Sequence, residues 1–288
     1  MQKDGLMEDP SHQRAIICTQ CRKLIGADEP RCPFCGASQS PFQRRIRSMM
    51  LRLSDEQAAI RAIIYLNIAM YVISLLLNPR TVGISLNPLT ALSPSNGSLL
   101  LIGATGTIPI DELNRWWSLV SANYLHGSLL HIFFNMAALS QVGPLIDREY
   151  GALRMISIYT LSGIAGFAVS YLAGVNFTIG ASAALCGLLG AALYFGKSMK
   201  GPYGRAVYRQ IGGWVVGLAI FGLIVPGINN WAHGGGLVAG IAIGWLSGYS
   251  DAKRRTIFHQ ALAAVCVAST IIVLAWATGS ALYYLLRG

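Results

Sequence analysis

Gly180-Ala181-Ser182-Ala183-Ala184-Leu185-Cys186-Gly187-Leu188-Leu189-Gly190 opens an apolar stretch with one serine set among small residues. A serine in such a place ordinarily caps or packs a helix. Its meaning depends on which other polar side chains reach the same level, so the course of the chain must be settled first. The 288 residues are 53% hydrophobic and 12% charged, with a mean hydropathy of +0.50. A water-soluble domain carries about 25% charged residues. The charges are also clustered, leaving long uncharged runs. This composition describes an all-α polytopic membrane protein, and the formal net charge of +10 reports topology rather than nucleic-acid binding. Residues 1–60 are polar and basic without a signal-peptide pattern, so the first apolar run is expected to act as its own insertion signal.

Apolar runs predict seven helices, at about 61–77, 127–144, 153–174, 182–197, 211–225, 231–249 and 257–285. Some fall short of the ~20 residues of a lone span, which suits glycine-rich helices inside a bundle. Gly236, Gly240 and Gly244 form a small-residue face on the sixth, and Ala183, Gly187, Gly190 and Ala191 a matching one on the fourth. These two are expected to pack closely. With the N-terminus inside, only Arg80, Arg115 and Arg287 of the 22 Lys and Arg fall on the outer side, which leaves 19 inside. The positive-inside rule favours this orientation, with a cytosolic N-terminus. The 78–126 connection is too long for a plain turn, and its Trp116 and Trp117 predict an amphipathic segment at the outer interface.

In that topology the second, fourth and sixth helices all start at the outer face. His126, His131 and Asn135 then share one depth with Ser182 and His233. Polar groups within a bilayer are costly and mark function. Serine becomes a nucleophile once a base takes its proton, and His233 is placed to do so. All twelve Asp and Glu lie outside the predicted spans, so a Ser182–His233 dyad is expected instead of a triad. His131 and Asn135, at i and i+4, can donate towards an oxyanion together with the Ser182 N–H. Two other readings compete: metal chemistry or transport through His126, His131 and His233, and a structural polar cluster. The first lacks an HExxH pair and an acid to act as base.

Ahead of the spans, Cys18-Thr19-Gln20-Cys21 and Cys32-Pro33-Phe34-Cys35-Gly36 stand ten residues apart. Two such knuckles suit a tetrahedral Cys₄ zinc site holding structural Zn²⁺; disulfides or a redox CxxC fit a cytosolic head poorly. So short a segment cannot bury a real core, and its folding should depend on the ion. The expected organisation is a zinc-ribbon-like head at 1–40, a basic linker at 41–60 with Arg44, Arg45, Arg47 and Arg52, a six-helix core at 61–250 and an added seventh transmembrane helix at 251–288.

His126-x4-His131-x3-Asn135-Met136, Gly180-x-Ser182 and Ala232-His233 followed by Gly235, Gly236 and Gly240 resemble the rhomboid intramembrane serine proteases in order, spacing and topology. The similarity covers about residues 61–250. The resemblance implies a serine-type endopeptidase with Ser182 as nucleophile and His233 as general base. It makes His131 and Asn135 oxyanion donors, with His126, Gly180 and Ala183 lining the substrate cavity. It also implies that transmembrane protein substrates are cut near the outer face, without a catalytic cofactor. Three positions depart from the pattern. Ala183 stands where the family has glycine, Cys186 where it often has an aromatic ring, and Ser118 where an arginine follows the tryptophan. They leave an alternative, a catalytically inactive protein that binds membrane helices. The compact core leans towards a prokaryotic inner membrane; substrate and oligomeric state are not legible.

Overall fold

Uncharged runs in a bilayer have only their own backbone to bond with, so they must become helices. The computed structural model bears this out; it describes residues 15–18, 21, 23–26, 29–38, 57–78, 82, 90–249 and 256–287. The linker arginines at 44, 45, 47 and 52, Arg80, and the basic run at 253–255 lie outside these residues. The chain divides into two compact units, Met1–Ala58 and Ala59–Gly288.

In the first unit, β1 (Ala15–Ile17) pairs antiparallel with β2 (Leu24–Gly26), with Ile16 opposite Ile25. The second unit is helical. Its long helices are α1 (Ala58–Leu76), α4 (Leu129–Tyr150), α5 (Ala152–Leu172), α6 (Ser182–Ser198), α7 (Pro202–Ile224), α8 (Asn230–Ser247) and α9 (Ile257–Arg287). All seven expected helices are present. Among the described residues, five are long and apolar enough to cross a membrane: α1, α4, α5, α7 and α9. By length and composition they make this a multi-pass integral membrane protein. Between α1 and α4 come short turns, α2 (Asn96–Leu101), a π-helical turn at Ile108–Glu112, α3 (Ser118–Ser121) and a 3₁₀ turn at Ala122–Tyr124.

Two helix ends differ from expectation. α4 runs through Pro144 to Tyr150, where Gly151 at φ +84 stops it. One proline costs a helix only one ladder bond and a local clash, which neighbouring packing absorbs in a membrane. α7 starts at Pro202, nine residues before the apolar run, because proline suits the first helical position and its first turns are basic.

α6 is the central strut, packed against α4, α5, α7 and α8. Its closest partner is α8. A Cβ on Gly240 would lie 1.9 Å from the Gly187 carbonyl oxygen, one on Gly236 2.1 Å from that of Ala183, and one on Gly190 2.2 Å from that of Leu237. Backbone meets backbone here, as the two small-residue faces predict. α9 lies against α5, α3 and α2 in the same unit.

Candidate active site

The α5–α6 connection is pinned before it reaches the serine. Thr178 and Thr105 exchange backbone hydrogen bonds at 2.7 and 3.1 Å, and the Gly180 N–H donates to the Ala122 carbonyl at 2.9 Å. Gly180 has φ +129, a conformation that side chains disfavour. Ser182 follows as the first residue of α6. No side chain caps that helix, so its first N–H groups have no partner within it.

α8 is set by Asn229. Its Oδ1 accepts from the Ala232 N–H at 3.0 Å, while its Nδ2 donates to Ser170 Oγ at 2.6 Å and Thr178 Oγ1 at 2.9 Å. One residue thus fastens the start of α8 to the end of α5 and to the loop leading into α6. His233 lies one turn on, and its Nε2 is 2.8 Å from Ser182 Oγ. The serine hydroxyl donates to Nε2 in the tautomer with the proton on Nδ1. That Nδ1 is buried and makes no hydrogen bond among the described residues. Among the described residues no acidic side chain stands behind the pair as a hydrogen-bond partner of that nitrogen.

His131 is placed by Ser128, whose Oγ accepts from the His131 N–H at 3.2 Å. The Gly127 N–H donates to His131 Nδ1 at 3.4 Å, which leaves the ring proton on Nε2. A Cβ built on Gly180 would lie 2.9 Å from that Nε2 and 3.5 Å from Ser182 Oγ. A side chain here would press on the His131 ring, so glycine keeps open the narrow gap between the Ser182 hydroxyl and the His131 Nε2–H. Ser182, His131 and His233 are all partly open to solvent.

The other expected residues stand further back. Asn135 is buried and donates to the His131 carbonyl at 2.9 Å, which leaves one amide hydrogen for other work. His126 is 0% exposed and lies edge-on to His131, ring centroids 4.9 Å apart. It backs His131 instead of lining an open cavity. Ala183 is also 0% exposed and sits in an apolar cluster with Ala122, Phe167 and Ala232. Its methyl is 3.1 Å from where a Gly166 Cβ would be. It fills a notch in α5, so the expected lining role at Ala183 gives way to a packing role. Cys186 is likewise buried. Trp116 is exposed against Tyr171, and Trp117 lies under the Arg115 guanidinium.

Asn229 and Ser128 were not anticipated. Each had a signal: a capping residue type at the position just before a helix.

In the first unit, Cys18 and Cys32 are buried, Cys21 is half-buried and Cys35 exposed. All four thiols lie within 4.8 Å of one another. Cys18–Cys35 and Cys21–Cys32 are 3.7 and 3.6 Å apart, which is no disulfide. Gly36 at φ +71 turns the second knuckle, with its N–H donating to the Cys32 carbonyl. These four can hold a metal ion.

Residues 113–250 match the family model described as Rhomboid domain. The chain is 33% identical over 162 residues to RHOMBOID-like protein 4 of Arabidopsis thaliana, covering 56% of this chain and 41% of that one. It is 34% identical over 148 residues to Rhomboid protease GluP of Bacillus subtilis (strain 168), covering 51% and 29%. It is 31% identical over 163 residues to Inactive RHOMBOID-like protein 8 of Arabidopsis thaliana, covering 54% and 44%. The chain thus spans less than half the length of each of these three relatives. Of these relatives, one is named a protease and one inactive. The histidine, asparagine and serine motifs all fall inside the residues that match this model.

Proposed function

We propose that the chain is an intramembrane serine endopeptidase that cleaves transmembrane segments of membrane proteins near the outer face. The observation that carries this reading is the 2.8 Å approach of Ser182 Oγ to His233 Nε2 at a partly open helix end. His233 takes the Ser182 proton as Oγ attacks the scissile carbonyl carbon. The developing oxyanion enters the gap at Gly180, where the His131 Nε2–H and the Ser182 N–H donate to it. His233 then hands the proton to the leaving amine. Water, activated by the same base, hydrolyses the acyl-enzyme and frees Ser182. The cytosolic N-terminus follows from the positive-inside count, which puts the dyad on the outer side. Suitable substrates carry small or helix-destabilising residues near that face, because the scissile bond must leave its helix to reach Oγ.

Fluorophosphonate labelling of the detergent-solubilised full chain tests this reading. Labelling is expected in the wild type and lost in both Ser182→Ala and His233→Ala. A folded wild-type protein that takes no label would favour the second reading, a silent binder of membrane helices, which the likeness to an inactive relative keeps in view.

The head is proposed to hold structural Zn²⁺. Sulfurs on a tetrahedron with metal–sulfur bonds of about 2.3 Å lie about 3.8 Å apart, close to the 3.6 and 3.7 Å found. The thiols must be deprotonated to bind, so acid and chelators should both release the metal. One zinc per chain is expected, lost in Cys18→Ser and Cys32→Ser; unchanged metal content in both variants would refute the site.

A further inference from the structure

The turn between α6 and α7 borders an open, shallow cavity of about 470 Å³ that the proposed chemistry does not use. That volume lies within the roughly 300–1,000 Å³ of small-ligand sites. Lys197, Lys200, Arg205 and Arg209 line it, together with Tyr208 and Gly201. No carboxylate lines it, and among the described residues none pairs with these four cations. Glu149 is engaged elsewhere, by Arg148 at 2.9 Å and by the Tyr203 hydroxyl at 2.7 Å. Lys197 Nζ lies 5.6 Å from the centre of the Tyr208 ring. α7 opens at the cavity without a side-chain cap, so its first N–H groups add to the positive field. Like charges gathered without a counter-charge are costly unless an anion joins them.

We propose that this cavity binds the phosphate of one anionic phospholipid, from the leaflet at the α6–α7 end of the molecule. The surroundings choose a lipid over free phosphate. α7 is long and apolar enough to cross a membrane, and beyond the cavity it exposes Val216, Ile220, Phe221 and Leu223. A headgroup seated among the cations therefore has an apolar helix face along which its acyl chains run. Basic pockets at the ends of spans are suited to such headgroups. The proposal does not depend on the chemistry assigned to Ser182.

The test is a thermal-shift titration of the full chain in neutral detergent with dioctanoyl phosphatidylglycerol. Dioctanoyl phosphatidylcholine and inorganic phosphate are run beside it. Saturable stabilisation at one lipid per chain is expected, with little from phosphatidylcholine. The double variant Lys200→Gln/Arg205→Gln, both exposed positions, should weaken it by roughly tenfold or more. Lys253→Gln/Arg254→Gln, equal in charge lost, should leave it unchanged, and Arg209→Gln should give a smaller loss of the same kind. Equal weakening by both double variants, or stabilisation without saturation, would show an unspecific charge effect and overturn the site. Inorganic phosphate acting as well as the lipid would overturn the lipid assignment.

Discussion

α6 packs backbone to backbone against α8 along a row of glycines, but against α7 only near one end, where a Cβ on Gly196 would lie 2.7 Å from the Tyr208 nitrogen. Towards α8, Gly240 sits so near α6 that a Cβ would come within 1.9 Å of the Gly187 carbonyl oxygen. On α7, Gly212, Gly213 and Gly217 have nothing within 4 Å of the same built atom. The buried positions of α7 are Gly204, Val207, Ile211 and Gly222, and much of its length is exposed. Lipid tails are as apolar as leucine, so a helix pair in a bilayer gains only from close contact and hydrogen bonds. The α6–α8 seam uses that gain, and the dyad rides on it. Gly236, which contacts the Ala183 carbonyl, lies one turn beyond His233, and Ala183 follows Ser182. The seam sets the Ser182–His233 distance. α7 carries no part of that load.

Breaking the seam should have the largest effect. Gly240→Ala forces a methyl into a backbone carbonyl that has no side chain to swing away. Overpacking of this kind costs about 3 kcal/mol when the backbone must shift. The thermal midpoint of Gly240→Ala in detergent should fall sharply, and fluorophosphonate labelling should fall with it. A wild-type midpoint would mean that α6 and α8 can part without loss, and the seam would no longer explain the dyad geometry.

How far this was legible in the sequence follows from the same contrast. The bilayer leaves the backbone no choice but helix, so seven apolar runs gave seven helices. The shared end of three of them puts Ser182, His131 and His233 at one level. The small-residue faces of α6 and α8 were readable because spacing alone places Gly236, Gly240 and Gly244 on one side. What spacing does not carry is the rotation of one helix against the next. It could not say that the Ala183 methyl turns into the notch at Gly166, or that His126 stands behind His131. Helix ends were misjudged where polarity changes without a change of conformation, as in the basic first turns of α7. Asn229 was missed because two of its three bonds cross to other elements, to Ser170 and Thr178.

Asn229 offers a sharper, smaller probe of the seam's upper end. Asn229→Ala removes the α8 cap and both cross-links, and a lost cap costs about 1–2 kcal/mol. Asn229→Asp keeps an acceptor for the Ala232 N–H but cannot donate to Ser170 and Thr178. If the cross-links position His233, both variants should label more slowly than wild type at a temperature where each is fully folded. If only the cap matters, Asn229→Asp should label at the wild-type rate. The split between labelling rate and thermal midpoint separates positioning from plain stability.

The smallest effect is expected on α7, and its direction is opposite. Gly213→Ala and Gly217→Ala place a methyl in open space, facing no atom within 4 Å. Neither residue has the positive φ that would strain an alanine. In a water-soluble helix, alanine in place of glycine gains about 1 kcal/mol by restricting the unfolded chain. In a bilayer the unfolded reference is itself helical, so the gain should be smaller, with a midpoint equal to or slightly above wild type. Labelling should be unchanged, because α7 holds neither member of the dyad. A drop in midpoint comparable to that of Gly240→Ala would mean that α7 packs through these glycines after all. The two faces of α6 would then be alike, and glycine content alone would have been the better guide.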